Sequence, residues 1–135
     1  MTDGHPDLAG YRAGVAEEEL RAQRCTGCAR SFWPPRPACP HCRCPDTSWV
    51  RLPDTGELFT WTVVAHTRLG GFRDAVPYPV GMIGLPAAGI RVIGRIDAPA
   101  AELTAGMPVR WTFADSPAGG RRPVWTPVPA GREGR

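Results

Sequence analysis

Hydrophobic and polar positions follow two different periods along this chain. Between residues 8 and 20, apolar Leu8, Tyr11, Val15 and Ala16 recur at helical spacing beside the polar run Glu17-Glu18-Glu19, which predicts a short helix over Leu8 to Leu20. Past residue 52 the period shortens. Leu58-Phe59-Thr60-Trp61-Thr62-Val63-Val64-Ala65-His66-Thr67 is rich in β-branched and aromatic residues and is opened by Asp54-Thr55-Gly56, which predicts a strand. Val80 to Pro86 and Ile90 to Ile96 read as a hairpin joined across Ala87-Ala88-Gly89, and Pro108 to Phe113 and Pro123 to Val128 supply two more strands. Five short strands in about 75 residues predict a small closed barrel, for which the OB-fold is the usual five-stranded solution. Strand alternation puts Phe59 and Trp61 on one face and Trp111 and Phe113 on another, as fillers of that barrel. The main gap in the pattern, Arg68 to Pro79, holds Gly70-Gly71-Phe72 and ends in Pro77-Tyr78-Pro79; loops of this length in compact domains are often functional.

Between helix and strands lies a cluster of cysteines. Cys25-Thr-Gly-Cys28 and Cys39-Pro-His-Cys42 are two CxxC pairs separated by ten residues, the spacing of a zinc ribbon. Two residues between thiolates let a tight turn aim both sulfurs at one metal, and two such turns complete a tetrahedron. Zinc held by Cys25, Cys28, Cys39 and Cys42 is the leading reading, with iron in the same cage and redox thiols as the alternatives. With four ligands supplied, no position stays open for water or substrate, so the metal is expected to be structural. Cys44 reads as a spare thiol, His41 as pointing away from the metal, and Arg24, Arg30 and Arg43 as candidate charge partners of the thiolates.

Composition narrows the class. A chain of 135 residues, 42% hydrophobic, can hold one modest domain or two very small ones. Gly 16 and Pro 16 make 32 residues together, which chops the chain into short segments and excludes long helices. No apolar run is long enough to cross a membrane, and the N-terminus carries acids and a proline where a signal peptide needs a basic start and an apolar run. A cytoplasmic location without membrane attachment is therefore expected. All 16 positive side chains are arginine, and the net charge of +3 is too mild for an obligate nucleic-acid protein. Residues 1–50 hold six Arg against six acids and residues 51–135 ten Arg against seven, so an anionic ligand is better sought in the second half.

Taken together, several segments resemble a known family. They are Leu20-Arg21-Ala22-Gln23-Arg24-Cys25 leading to Cys28, Phe32-Trp33-Pro34-Pro35-Arg36, Cys39-Pro40-His41-Cys42, Gly56-Glu57-Leu58-Phe59-Thr60-Trp61-Thr62-Val63-Val64, the Pro77-Tyr78 pair, and Gly106-Met107-Pro108-Val109. The chain resembles, over nearly its whole length, the zinc-ribbon/OB-fold proteins associated with acyl-CoA metabolism, formerly a domain of unknown function. Two positions depart from the family pattern: Ala29 stands where a glycine usually follows the second cysteine, and the aromatic pair of the first helix is reduced to Tyr11 followed by Arg12.

The resemblance implies a mainly β fold with an N-terminal helix, a four-cysteine, rubredoxin-like zinc ribbon and a C-terminal five-stranded OB-fold barrel. The expected division is 1–22 helical segment, 23–52 ribbon, 53–130 OB-fold and 131–135 flexible tail. It also implies a non-catalytic accessory subunit that binds a thiolase-like enzyme and shapes its acyl-CoA channel, for carbon–carbon bond chemistry or acyl transfer. Tyr11, Val15, Trp33 and Arg36 are then the candidate partner interface, and Arg68, Phe72, Arg73 and Tyr78 the candidate lining of the CoA channel. No residue is assigned to catalysis: His66 has no paired acid in evidence, and Cys44 is a candidate nucleophile by name only. The rival reading is a single-stranded nucleic-acid module, in which Phe59, Trp61, Trp111 and Phe113 stack on bases; a free-standing aldolase or hydrolase has too few candidate catalytic residues.

Overall fold

The computed structural model describes residues 8–68, 70–117 and 119–129. Helix α1 (Ala9–Ala16) ends one turn short of the expected Leu20. The Glu18 and Glu19 N–H groups donate back to Val15 O and Gly14 O at 3.0 and 2.8 Å, with Glu18 in the left-handed region at φ 56°. This helix-ending turn normally carries glycine at the left-handed position. It releases Leu20 from the helix and lets it enter the core.

A three-stranded antiparallel sheet follows, built from β1 (Arg21–Cys25), β2 (Ser31–Phe32) and β3 (Thr47–Arg51) in the order β2-β1-β3. Gln23 is buried in its centre. Its side-chain amide donates to Arg36 O at 2.8 Å and to Thr47 Oγ1 at 3.2 Å, and its carbonyl accepts from Arg36 N–H at 2.7 Å. A buried amide satisfied in this way fixes the segment after β2 against the sheet. That segment bends at Trp33 and Pro34, which are joined by a cis peptide.

The second sheet contains β4 (Thr55–Val64), β5 (Tyr78–Leu85), β6 (Ile90–Arg95), β7 (Pro108–Asp115) and β8 (Arg121–Pro127), ordered β6-β5-β4-β7-β8. All its neighbours are antiparallel, and β5 alternates strictly, with Pro79, Gly81, Ile83 and Leu85 inward. The sheet curls until Ile96 and Trp125 form a parallel bridge, reinforced by Asp97 N–H donating to Trp125 O at 2.8 Å. Close approach there demands glycine, because a Cβ at Gly94 would stand 2.6 Å from the Trp125 ring. The result is the half-barrel form of the OB-fold.

Ribbon and half-barrel share one core. Leu20, Ala22 and Leu52 belong to the same buried cluster as Leu58, Ile83 and Trp125, and Trp111 Nε1 donates to Pro53 O at 2.8 Å across the join. Trp111 and Phe113 are buried as fillers, in edge-to-face contact at 6.1 Å. Phe59 is not. Gly56 and Leu58 face inward, so Phe59 falls on the outer face at 53% exposure, beneath the Arg91 guanidinium at 4.1 Å, and the register slip between Leu58 and Thr60 shifts Trp61 to the half-buried side. Residues 131–135, expected as a tail, lie outside the described residues. Among the described residues no helix is long and apolar enough to cross a membrane.

Candidate metal centre and ligand clefts

The two CxxC turns face each other. In the first, Gly27 and Cys28 N–H donate to Cys25 Sγ at 3.2 and 3.4 Å; in the second, His41 N–H donates to Cys39 Sγ at 3.3 Å. The four sulfurs of Cys25, Cys28, Cys39 and Cys42 lie within 4.8 Å of one another, with Cys25–Cys42 at 3.5 Å and Cys28–Cys39 at 3.7 Å. Tetrahedral zinc with bonds of about 2.3 Å needs sulfurs about 3.8 Å apart, so the set fits such an ion. Its electrostatics are those of a proton-sharing cluster. The Cys28 N–H, then the Cys42 thiol and Gly27 N–H, draw Cys25 down to about 6 against the effect of burial. Burial pushes Cys39 up, but the Cys42 and His41 N–H donors outweigh it and lower it. The Cys44 N–H favours the Cys42 thiolate, yet hydrogen bonding with Cys25, burial and the other two thiols raise Cys42 to about 12.

Cys44 stands outside the set, its Sγ 3.9 Å from Asp46 O. The expected charge partners contact other groups: Arg24 Nε donates to Ala29 O at 3.1 Å, and Arg30 Nη1 lies 3.3 Å from His41 Nδ1, which holds that imidazole away from the sulfurs. Backbone N–H groups and neighbouring thiols favour the Cys25 and Cys39 thiolates.

Among the described residues, depressions open beside this frame. An open groove of about 940 Å³ between ribbon and half-barrel is lined by Trp33, Arg36, His41, Phe59 and Arg91. Two of the four candidate interface residues thus meet, together with an aromatic–arginine pair on the outer sheet face. A second cleft, about 430 Å³, opens between α1, the Trp33–Pro35 bend and β6–β8, with Tyr11 and Trp33 on its walls. Tyr11 and Val15 are half-buried against the chain's own core. Burial raises the Tyr11 phenol, partly offset by the charge of Arg122.

The third cleft, about 320 Å³, lies beneath the β4–β5 loop. Phe72 and Tyr78 form its aromatic wall, their rings 5.7 Å apart at 46°. Arg68 and Arg73 are exposed on the loop and do not line it. The arginines that do are Arg95 and Arg122. Spacing alone singled out neither, although Arg91, Ile93 and Arg95 alternate along β6 and so share its outer face. His66, also exposed, lines none of the three depressions.

Two family models match this architecture: the ChsH2 rubredoxin-like zinc ribbon domain over residues 12–47, and the ChsH2 C-terminal OB-fold domain over residues 49–114. The chain belongs to this zinc-ribbon/OB-fold family. Among solved structures, a chain of the "Ltp2-ChsH2(DUF35) aldolase" superposes with a TM-score of 0.77 at 28% identity, covering 91% of this chain and 95% of that one. A DUF35-family protein of unknown function from Sulfolobus solfataricus shares the fold at a TM-score of 0.60 and 16% identity, over 91% of this chain and 86% of the other. A curated relative from Thermomonospora curvata, named probable enoyl-CoA hydratase alpha subunit, is 30% identical over 111 residues, which make up 81% of this chain. The chain spans about a third (34%) of that relative's length, so it matches one part of a longer protein.

Proposed function

We propose that the chain is a non-catalytic accessory subunit that binds a thiolase-like enzyme and helps form its acyl-CoA channel, for carbon–carbon bond formation or cleavage or for acyl transfer. The observation that carries this reading is the end-to-end likeness, at 28% identity, to a chain of the Ltp2-ChsH2 aldolase. The hydratase name of the Thermomonospora relative points to the same class of CoA thioesters. In this proposal residues 1–22 and 23–52 dock, with Tyr11, Val15, Trp33 and Arg36 toward the partner, and residues 53–130 border the channel through Phe72 and Tyr78, with Arg68 and Arg73 on the loop above. Zinc on Cys25, Cys28, Cys39 and Cys42 holds the ribbon in shape. The reacting groups belong to the partner.

The nucleic-acid reading loses its stacking platform in this fold. Trp111 and Phe113 are buried and Trp61 is half-buried, which leaves Phe59 as the one exposed ring of the four.

The test is affinity purification of the tagged chain from its native lysate with identification of what co-elutes. A thiolase-fold enzyme in a defined ratio is the expected result, with Arg36→Glu reducing its recovery. No stable partner, or nucleic acid in its place, overturns the proposal.

A further inference from the structure

The second and third clefts meet over a ridge that carries two cations. Arg95, at the end of β6, and Arg122, near the start of β8, each line both clefts, and they arrive together only because the curled sheet brings β6 against β8. Neither guanidinium is neutralised by a carboxylate among the described residues. Arg122 Nη1 donates to Arg121 O at 3.0 Å, the one side-chain hydrogen bond of Arg122 among the described residues. Among the described residues Arg95 Nε is buried without a hydrogen-bond partner, and the guanidinium lies 5.4 Å from the Tyr78 ring centroid. The acid on the rim, Asp115, is 91% exposed and pairs with Arg121 at 3.5 Å. A partly buried guanidinium without an acceptor is costly, and an oxyanion at its free Nη groups is the partner that its planar fork best accepts. Two such cations match the double charge of a phosphate monoester. Beside them, Phe72 and Tyr78, with rings inclined at 46° to each other, offer an aromatic wall against which a base can pack.

We infer that Arg95 and Arg122 form a nucleotide-phosphate site, in which a phosphate monoester sits on the two guanidiniums and its base lies against Phe72 and Tyr78. The assignment rests on the acyl-CoA reading for which nucleotide is held. It places phosphate recognition on the ridge beneath the loop that carries Arg68 and Arg73, neither of which lines the cleft.

The probe is adenosine 3′,5′-bisphosphate, titrated calorimetrically into the full zinc-loaded chain at low salt, with inorganic phosphate as a second titrant. The bisphosphate is expected to bind, and to bind about tenfold or more weaker to Arg95→Gln and to Arg122→Gln, because each removes one charged, bidentate contact. Arg122→Lys keeps the charge without the fork and should fall between. Arg110→Gln, at an exposed residue that lines neither cleft, should match the parent, and Phe72→Ala should weaken the bisphosphate while leaving inorganic phosphate unaffected. Thermal melts establish which variants fold; should Arg95→Gln not fold, Arg122→Gln and Arg122→Lys carry the test. Absence of bisphosphate binding at millimolar concentration overturns the inference, as does equal affinity in the Arg122 variants. Equal affinity for inorganic phosphate and the bisphosphate overturns the nucleotide assignment. A chain that binds the bisphosphate yet captures no thiolase-fold enzyme defeats the accessory-subunit reading and keeps this one; capture without bisphosphate binding does the reverse.

Discussion

Ala29 and Arg43 occupy equivalent positions, each one residue past the second cysteine of its CxxC pair. Their φ angles are 66° and 67°, and their N–H groups donate to Cys25 O at 2.9 Å and Cys39 O at 2.8 Å. Each turn closes only if that residue enters the left-handed region, where a Cβ is penalised and glycine is not. Ala29→Gly and Arg43→Gly should therefore each stabilise the ribbon by about 0.5–1 kcal/mol, after allowance for the greater freedom of glycine in the unfolded chain. Chemical denaturation of the zinc-loaded variants reads this directly. A loss of stability in both would mean that strain at these turns is not what limits the fold.

Removal of zinc should reach beyond the ribbon. Structural sites of this type contribute on the order of 10 kcal/mol to folding. Leu20, Ala22 and Leu52 lie in the same core as Leu58 and Ile83, so chelation should abolish amide protection in β1–β3 and also lower it in β4 and β5. Unchanged protection of β1 and β3 after chelation would remove zinc from the account of the fold.

Zinc affinity should fall with falling pH, because the ion binds thiolates and displaces protons. The Cys28 N–H, with the Cys42 thiol and Gly27 N–H, holds Cys25 at about 6, so above that pH this sulfur is already ionised and releases no proton on binding. Below it, Cys25 too must be deprotonated by the metal, and the loss of affinity should steepen. Competition titrations with a chromophoric chelator on either side of pH 6 provide the measurement; one unbroken slope would contradict the low value at Cys25.

Gln23 is a hydrogen-bonding clamp on the segment that carries Trp33 and Arg36. Gln23→Leu keeps the volume but strands the Arg36 N–H and C=O, at an expected cost of about 2 kcal/mol, since a buried group left unpaired loses its desolvation compensation. Denaturation midpoints should shift accordingly, and the backbone resonances of residues 33–36 should broaden. A variant as stable as the parent would show that Arg36 finds water instead.

Helix α1 is fastened to both sheets. A Cβ at Gly10 would overlap the Trp49 indole, so Gly10→Val should lift the helix from β3 and leave its amides unprotected. At the helix end, Arg121 Nε donates to Glu18 Oε2 at 3.0 Å. That hydrogen bond is the main cause of the lowered Glu18 pKa, with the Arg121 charge assisting against slight burial. A lowered carboxylate stabilises the fold above its ordinary pKa, and the contribution disappears as pH falls through the lowered value. Arg121→Gln should return Glu18 toward the ordinary range in an NMR titration, with only a small change in stability because the pair is exposed. A Glu18 titration that does not move would break the link between α1 and β8.

Short-period pattern and ligand spacing carried most of what was legible in the chain itself. The four cysteines were readable because two tight turns around one metal permit little besides CxxC spacing, and five strands were readable because alternation and turn residues are local. The end of α1 was misjudged for an equally local reason: Glu18 takes the left-handed position where glycine would have announced the stop. Phe59 and Trp61 share a parity along the chain, but the bulge between Leu58 and Thr60 breaks it, so Trp61 turns inward while Phe59 stays on the face opposite Leu58. Gln23 on Arg36, Glu18 on Arg121 and the shared clefts of Arg95 and Arg122 were beyond any local pattern, since each depends on how far the sheets twist and curl before distant segments meet. Local pattern was enough for the four-cysteine cluster and the strands; the curl of the half-barrel set which charged side chains face a cleft, because curling brings together residues whose separation along the chain carries no period.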